Sequence, residues 1–165
     1  MVRIGVTGHM DLTAGSVRLV RGALLETLAP HVPDGLIGVS CIAAGADSIF
    51  ADVVLEVGGG LEVILPAADY RERKVKPDHA ETFDRLVRHA ASVRVMPYAV
   101  SDRAAYEAAN EALVESVDLL VAVWDGRAPA DRGGTASVVE HARSRGLDVR
   151  IIWPDGAERS SSRRA

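Results

Sequence analysis

The chain has one cysteine, Cys41, in 165 residues. No internal disulfide can form from it, and no cysteine-built metal cluster exists. The five histidines show neither HxH nor HExxH spacing, so no metal site is expected and no cofactor is assigned. Charge of neither sign dominates: 19 Lys and Arg against 23 Asp and Glu give a formal net charge of −4. That balance lacks the basic surface of a general nucleic-acid binder, and no nucleic-acid partner is expected. No apolar run approaches the ~20 residues of a membrane helix, so no membrane partner is expected either. The N-terminus opens on a strand pattern without the long apolar region of a signal peptide, and the expected location is the cytoplasm. What remains is an ordinary globular composition, 48% hydrophobic and 25% charged, of a length that suits one domain.

The most informative stretch is 116–154, SVDLLVAVWDGRAPADRGGTASVVEHARSRGLDVRIIWP. A continuous apolar run at 119–124 reads as a strand buried on both faces. It stops at Asp125-Gly126. A polar loop leads to Gly133-Gly134-Thr135, then a helical pattern, then a second apolar run at 149–153. A strand, glycine-rich loop, helix, strand unit sets backbone N–H groups at a helix N-terminus, where the aligned peptide dipoles favour an anion.

The preceding chain repeats the alternation. Residues 2–7 form a β-rich run ending at Gly8, and helical spacing follows through Val17, Val20, Leu24, Leu25 and Leu28, with Thr13 or Ser16 as cap. Runs at 36–42, 61–65 and 93–96 read as further strands. Helices are expected at about 47–57, closed by Gly58-Gly59-Gly60, at about 79–89, and from Ser101 or Asp102 to Ser116. The charged stretch 67–78 reads as an exposed loop or short helical piece, either a lid or a solvated crossover. Residues 155–165 are polar and read as a frayed tail beyond a single domain at 1–154. This order predicts an α/β fold of three layers, Rossmann-like, with a mostly parallel sheet of about six strands and helices on both faces. Ligands bind such sheets beyond the carboxyl ends of the strands, where strand order reverses. The candidate motifs all fall at such ends.

VTGH at 6–9, AAGAD at 43–47, YEAANEALVESVDLLVAVWDG at 106–126 and RGGTASVVEHA at 132–142 together resemble the SLOG superfamily. This Rossmann-like group includes the LOG-type "lysine decarboxylase-like" proteins and the DprA/Smf proteins. The resemblance covers nearly the whole domain. It implies binding of a nucleotide or nucleotide-derived ligand, in a sensor or carrier role, and a homo-oligomer, most simply a two-fold dimer. Some members cleave the N-glycosidic bond of nucleoside monophosphates, so a phosphoribohydrolase is the alternative; the DG…GT arrangement is also similar to nucleoside deoxyribosyltransferases. In the LOG-type PGGxGTxxE pattern a glutamate stands three residues after the threonine, whereas here Glu140 stands five after Thr135 and Arg132 replaces the proline. A non-catalytic interaction scaffold is the third reading, since fold alone does not settle function.

Each candidate residue carries two readings. Gly133, Gly134 and Thr135 hold a phosphate, or make a tight turn with Thr135 as cap. Gly8 lets the backbone approach a ligand and His9 touches it, or His9 is an ordinary loop histidine. Asp125 accepts from ribose hydroxyls, or Asp125-Gly126 is only a turn. Gly45 and Ala46 put small residues under the ligand with Asp47 facing it, or Asp47 caps its helix. Tyr106 and Asn110, one turn apart on one helix face, stack on and hydrogen-bond a base, or they belong to the core. A catalytic carboxylate, if there is one, comes from Glu140 or Asp125, and Glu140 is otherwise a solvated helix residue.

Overall fold

A computed structural model describes residues 1–128 and 134–160. Strands β1 (Val2–Gly8), β2 (Leu36–Ser40), β3 (Gly60–Leu65), β4 (Ser92–Val95), β5 (Leu119–Val123) and β6 (Asp148–Ile152) form one sheet in the order β4-β3-β2-β1-β5-β6. Every adjacent pair is parallel. Parallel neighbours need crossovers, and six helices supply them: α1 (Ala14–Leu28), α2 (Ala46–Glu56), α3 (Tyr70–Lys74), α4 (Pro77–His89), α5 (Arg103–Ser116) and α6 (Thr135–Ser144). The expected three-layer α/β architecture is the one observed.

Strand alternation sorts the helices onto two faces. Ile4 and Val6 of β1 and Val121 and Val123 of β5 pack with Val20, Leu24 and Leu28 of α1 and Phe50, Val53 and Val54 of α2. On that same face Leu61, Val63 and Leu65 of β3 meet Phe83 and Leu86 of α4. The opposite face sets Val39, Ile64 and Leu120 against Ala109, Leu113 and Val114 of α5 and Val138 and Ala142 of α6. Small residues let the layers approach: a side chain on Gly38 would meet Val54 Cγ2 at 2.5 Å, and one on Gly5 would meet Leu113 Cδ2 at 2.7 Å.

The helix boundaries follow local chemistry. Asp102 caps α5 by accepting from the Ala105 N–H at 3.0 Å. Gly58 takes φ +84° after α2, and the Gly59 N–H donates to the Val54 carbonyl at 2.8 Å, closing the helix as expected. Strand β2 stops at Ser40, short of the apolar run, because Ile42 turns at φ +44°, a costly conformation for a β-branched residue. The charged stretch after β3 is tied down. Tyr70 is buried against Phe83, Asp69 accepts from the Ser101 N–H and hydroxyl, and Arg71 grips Asp84 with two hydrogen bonds.

The segment after Pro154 departs from the frayed tail read from its composition. It returns along the loop after β1: Leu12 and Arg159 form an antiparallel bridge. The Thr13 N–H donates to the Glu158 carbonyl at 3.1 Å, and the Glu158 N–H donates to Ser16 Oγ at 2.7 Å. Residues 155–160 thus form a strap across the carboxyl edge of the sheet. Composition cannot register this, because backbone groups, the Ser16 and Ser160 hydroxyls and the Arg159–Asp11 pair make the attachment between segments distant in the chain. Among the described residues, no helix is long and apolar enough to cross a membrane.

Candidate functional site

Strand order reverses between β1 and β5, since the chain runs outward from β1 to β4 on one side and through β5 to β6 on the other. Beyond the carboxyl ends of these strands lies a cleft of about 760 Å³. Three groups of residues build it, one from each neighbouring strand end.

The β5 and α6 end is polar and open. Asp125 follows β5, and its side chain is 11% exposed. Its Oδ1 accepts from the Arg127 N–H at 3.0 Å, and its Oδ2 lies 3.8 Å from the Arg159 guanidinium. The Trp124 indole N–H donates to the Arg127 carbonyl at 3.0 Å, which folds the loop back on itself. Gly134, at φ +78°, leads into α6, and Gly134, Thr135 and Ala136 line the cleft. Arg127 and Arg159 line it too, and the Arg159 guanidinium reaches both Asp11 and Asp125. Gly133 lies outside the described residues.

The middle of the site is the loop after β1. His9 is 8% exposed, and its Nε2 accepts from the Asp125 N–H at 3.1 Å. Burial, and then the nearby Arg159 charge, hold the imidazole below its ordinary pKa. His9 is therefore a neutral ring that takes a backbone proton, and its 3.4 Å approach to Asp125 Oδ1 is not an ion pair. Its edge-on contact with Trp153, 5.6 Å between centroids, fixes it further. It joins the loop after β1 to the loop after β5.

The β2 and β3 end is apolar and enclosed. Cys41, Ala43, Pro66, Tyr70 and Tyr106 form its walls, with Asn110 one turn along α5 from Tyr106. Tyr70 and Tyr106 meet edge-on at 6.2 Å. Asp47, 9% exposed, sits among them. Its Oδ2 accepts from the Ala43 N–H at 3.3 Å, the Ser40 hydroxyl donates to its carbonyl, and the Ser48 hydroxyl donates to the Ala43 carbonyl at 2.7 Å. Burial pushes the Asp47 carboxyl up to about 7. Burial, and then the Asp47 charge, also push the Cys41 thiol up, so it stays protonated and unreactive.

The structure thus brings Gly8, His9, Asp47, Tyr106, Asn110, Asp125, Gly134 and Thr135 to one cleft. Other candidates fall elsewhere. A side chain on Gly45 would meet the His9 carbonyl at 2.6 Å, and Ala46 is fully buried, so both pack α2 against the loop after β1. Gly8 joins them in that packing, because a side chain there would meet Ala46 Cβ at 2.5 Å. Gly126 takes φ +80° in an exposed turn. Asp47 does not cap α2; its carboxyl turns back to Ala43. Glu140 is exposed on α6, whose buried stripe is Thr135, Val138, Val139 and Ala142, and it does not line the cleft. The two-residue displacement from the glutamate pattern turns it about 200° around the helix. Sequence reading missed Tyr70, Arg127 and Arg159. Arg159 carried no local signal, because only the strap brings it to the cleft.

Among the described residues, no group of three or more His, Cys, Asp and Glu side chains is placed to hold a metal ion. No family model matches the chain, and no curated protein matches its sequence. Solved structures do match. DNA processing protein A from Streptococcus pneumoniae superposes with a TM-score of 0.69 at 17% identity over 94% of this chain. The chain spans 52% of that protein's length. DNA processing protein A from Helicobacter pylori, whose structure describes a single-stranded DNA binding mode, superposes with a TM-score of 0.68 at 14% identity, covering 98% of this chain and 70% of that one. A molybdenum cofactor binding protein from Rippkaea orientalis gives a TM-score of 0.62 at 18% identity, covering 93% and 77%.

These likenesses correct one expectation. The net charge of −4 suggests no place for a nucleic-acid partner. A protein that binds single-stranded DNA shares this fold, so the exclusion does not stand. The physical reason is that net charge averages the whole surface, whereas a single strand is held by a local groove and by base stacking. Here Arg103, Arg127 and Arg159 line the cleft alongside Asp11, Asp47, Glu107 and Asp125, so the net charge of the chain does not describe its local pattern of both signs. In fold, the chain is a Rossmann-like α/β domain similar to those of DNA processing protein A and the molybdenum cofactor binding protein.

Proposed function

We propose that the cleft binds a nucleotide or nucleotide-derived ligand, either free or as one unit of a single strand. The observation that carries this reading is the convergence, at the strand-order reversal, of the α6 N-terminus, Asp125 and two arginines at one end with an apolar, tyrosine-walled slot at the other. The α6 N-terminus with Arg127 and Arg159 suits a phosphate, because peptide dipole and guanidinium charge add. Asp125 suits sugar hydroxyls, which donate to a carboxylate. The tyrosine-walled slot suits a planar base.

A binding role fits better than hydrolysis. Glu140 is outside the cleft, and Asp125 already accepts from Arg127 and faces Arg159, an arrangement that fixes a carboxylate rather than readies it as a base. Isothermal titration of the full chain with ribose 5-phosphate, nucleoside monophosphates and a short DNA strand tests the proposal. Saturable binding is expected, weakened about tenfold or more by Arg159→Ala together with Gly134→Asp. Absence of binding to every one of these ligands would overturn it. Release of free base during the titration would replace the binding role with the hydrolase.

A further inference from the structure

We infer that Asp47 reads the base, and that the ligand presents to it two adjacent N–H donors of a 2-amino-4-oxopyrimidine ring, the edge shared by guanine and the pterins. The inference rests on the nucleotide-binding reading and gives it a ligand class.

The carboxyl is built into the slot without a cation. Its Oδ2 takes the Ala43 N–H at 3.3 Å, and Oδ1 makes no hydrogen bond to another described residue. The frame around it is tied by hydroxyls: Ser40 holds the Asp47 carbonyl, Ser40 Oγ accepts from the Ile42 N–H at 3.0 Å, and Ser48 holds the Ala43 carbonyl. Ile42 is kept at φ +44° within this frame. The titratable groups around the carboxyl are the Cys41 thiol at the end of β2 and the Tyr70 hydroxyl on α3, both held protonated by burial. A carboxyl nine-tenths buried carries a standing desolvation cost when it is ionised. A ligand that supplies two donors to the ionised carboxylate removes that cost. Adenine offers one donor beside a ring acceptor, and hypoxanthine has the ring N–H but no 2-amino group, so neither donates to both oxygens at once.

The placement agrees. Asp47 follows β2, the α6 N-terminus follows β5, and β1 lies between them. Neighbouring strands are about 4.8 Å apart, so the ends of β2 and β5 lie roughly 10 Å apart, the scale of the span that a sugar bridges between phosphate and base. The slot walls Tyr70, Tyr106 and Pro66 are suited to the faces of a flat ring, which leaves its edge for Asp47. A second phosphate is disfavoured there by the carboxylate itself.

The test is isothermal titration of the full chain at about pH 8, where Asp47 is ionised, with GMP, IMP, AMP, neopterin monophosphate and ribose 5-phosphate. GMP or the pterin is expected to bind about tenfold or more tightly than IMP and AMP. Asp47→Asn should reduce that preference to within about twofold and leave ribose 5-phosphate binding unchanged; thermal melts of the variant confirm that it is folded. Tighter binding of the pterin than of GMP, with both weakened in Asp47→Asn, would identify the pterin as the source of the edge. Equal binding of GMP, IMP, AMP and the pterin, or a preference that survives Asp47→Asn, overturns the inference while leaving the nucleotide reading intact. No binding of any ligand, ribose 5-phosphate included, overturns that reading and this inference with it.

Discussion

Two helices in this chain begin alike and end up with opposite roles. Gly45 precedes α2 at φ +81°, and Gly134 precedes α6 at φ +78°; each follows a strand and leads a run of small residues. At Gly45 the space is full: an added side chain would lie 2.6 Å from the His9 carbonyl and 2.7 Å from Met10 Cα. The Ala46 N–H donates to the His9 carbonyl at 3.1 Å, so the chain itself occupies the start of α2. At Gly134 nothing among the described residues lies within 4 Å of the same position, and the residues that follow line the cleft. A glycine before a helix thus serves two physical ends, close packing and ligand approach. Only the occupant of the space in front of it decides between them.

The sharpest way to break this comparison is to add a methyl group to each glycine. Gly45→Ala should cost about 3 kcal/mol or more of folding stability, from strain and overlap with backbone together. Gly134→Ala should cost only about 1–2 kcal/mol, from its conformation alone. Denaturant unfolding measures both, and equal losses would remove the distinction between a filled and an open helix start.

The two ends of the cleft also differ in what their carboxylates cost. Asp125 is held by the Arg127 N–H beside a cation, whereas Asp47 is enclosed with its pKa raised to about 7. A raised folded pKa means that the folded state binds the proton more tightly than the unfolded chain. The stabilisation from Asp47 is fully present below about pH 4 and is lost as pH rises from there to about 7. Asp47→Asn should therefore gain up to a few kcal/mol at pH 8 relative to the parent chain, and its stability should vary less across that window. His9 acts in the other direction, because its depressed pKa favours folding above about pH 6.5 and that contribution fades below it. Comparing the variant with the parent cancels the His9 contribution. Pairing of Asp47 with an unseen cation would show as a loss instead of a gain.

The smallest expected effect sharpens the contrast between binding and folding. Arg159 is 34% exposed at the side chain and pairs with Asp11 at 2.9 Å. Exposed pairs of this kind contribute about 0–1 kcal/mol, so Arg159→Ala alone should leave thermal stability nearly unchanged. A large drop in melting temperature would make the strap a structural element before a ligand-binding one.

Much of the architecture was legible in the order of residues. Apolar runs punctuated by glycine and proline placed the strands, and 3.6-residue periodicity placed the main helices, because burial on a sheet demands both. The end of β2 was not legible, since the turn at Ile42 depends on Ser40, Ser48 and His79 around it and not on any breaker residue. The cleft was legible in part for the same reason as the strands. Gly8, Asp125 and Thr135 fall at strand ends, and parallel topology sends strand ends to one side. Tyr70 was hidden within a charged stretch, and Arg159 within a polar tail.

By itself, then, the amino-acid sequence determined the alternation of strands and helices, the parallel sheet and the side of the sheet on which a ligand would lie. These follow from local periodicity and from the handed connections that such periodicity permits. Tertiary structure alone decided that Gly45 is closed and Gly134 open among the described residues, that Asp47 is enclosed, and that the strap returns Arg159 to the cleft. Those outcomes depend on which atoms fill the space beside a residue, and for the strap groups more than a hundred residues apart in the chain supply them.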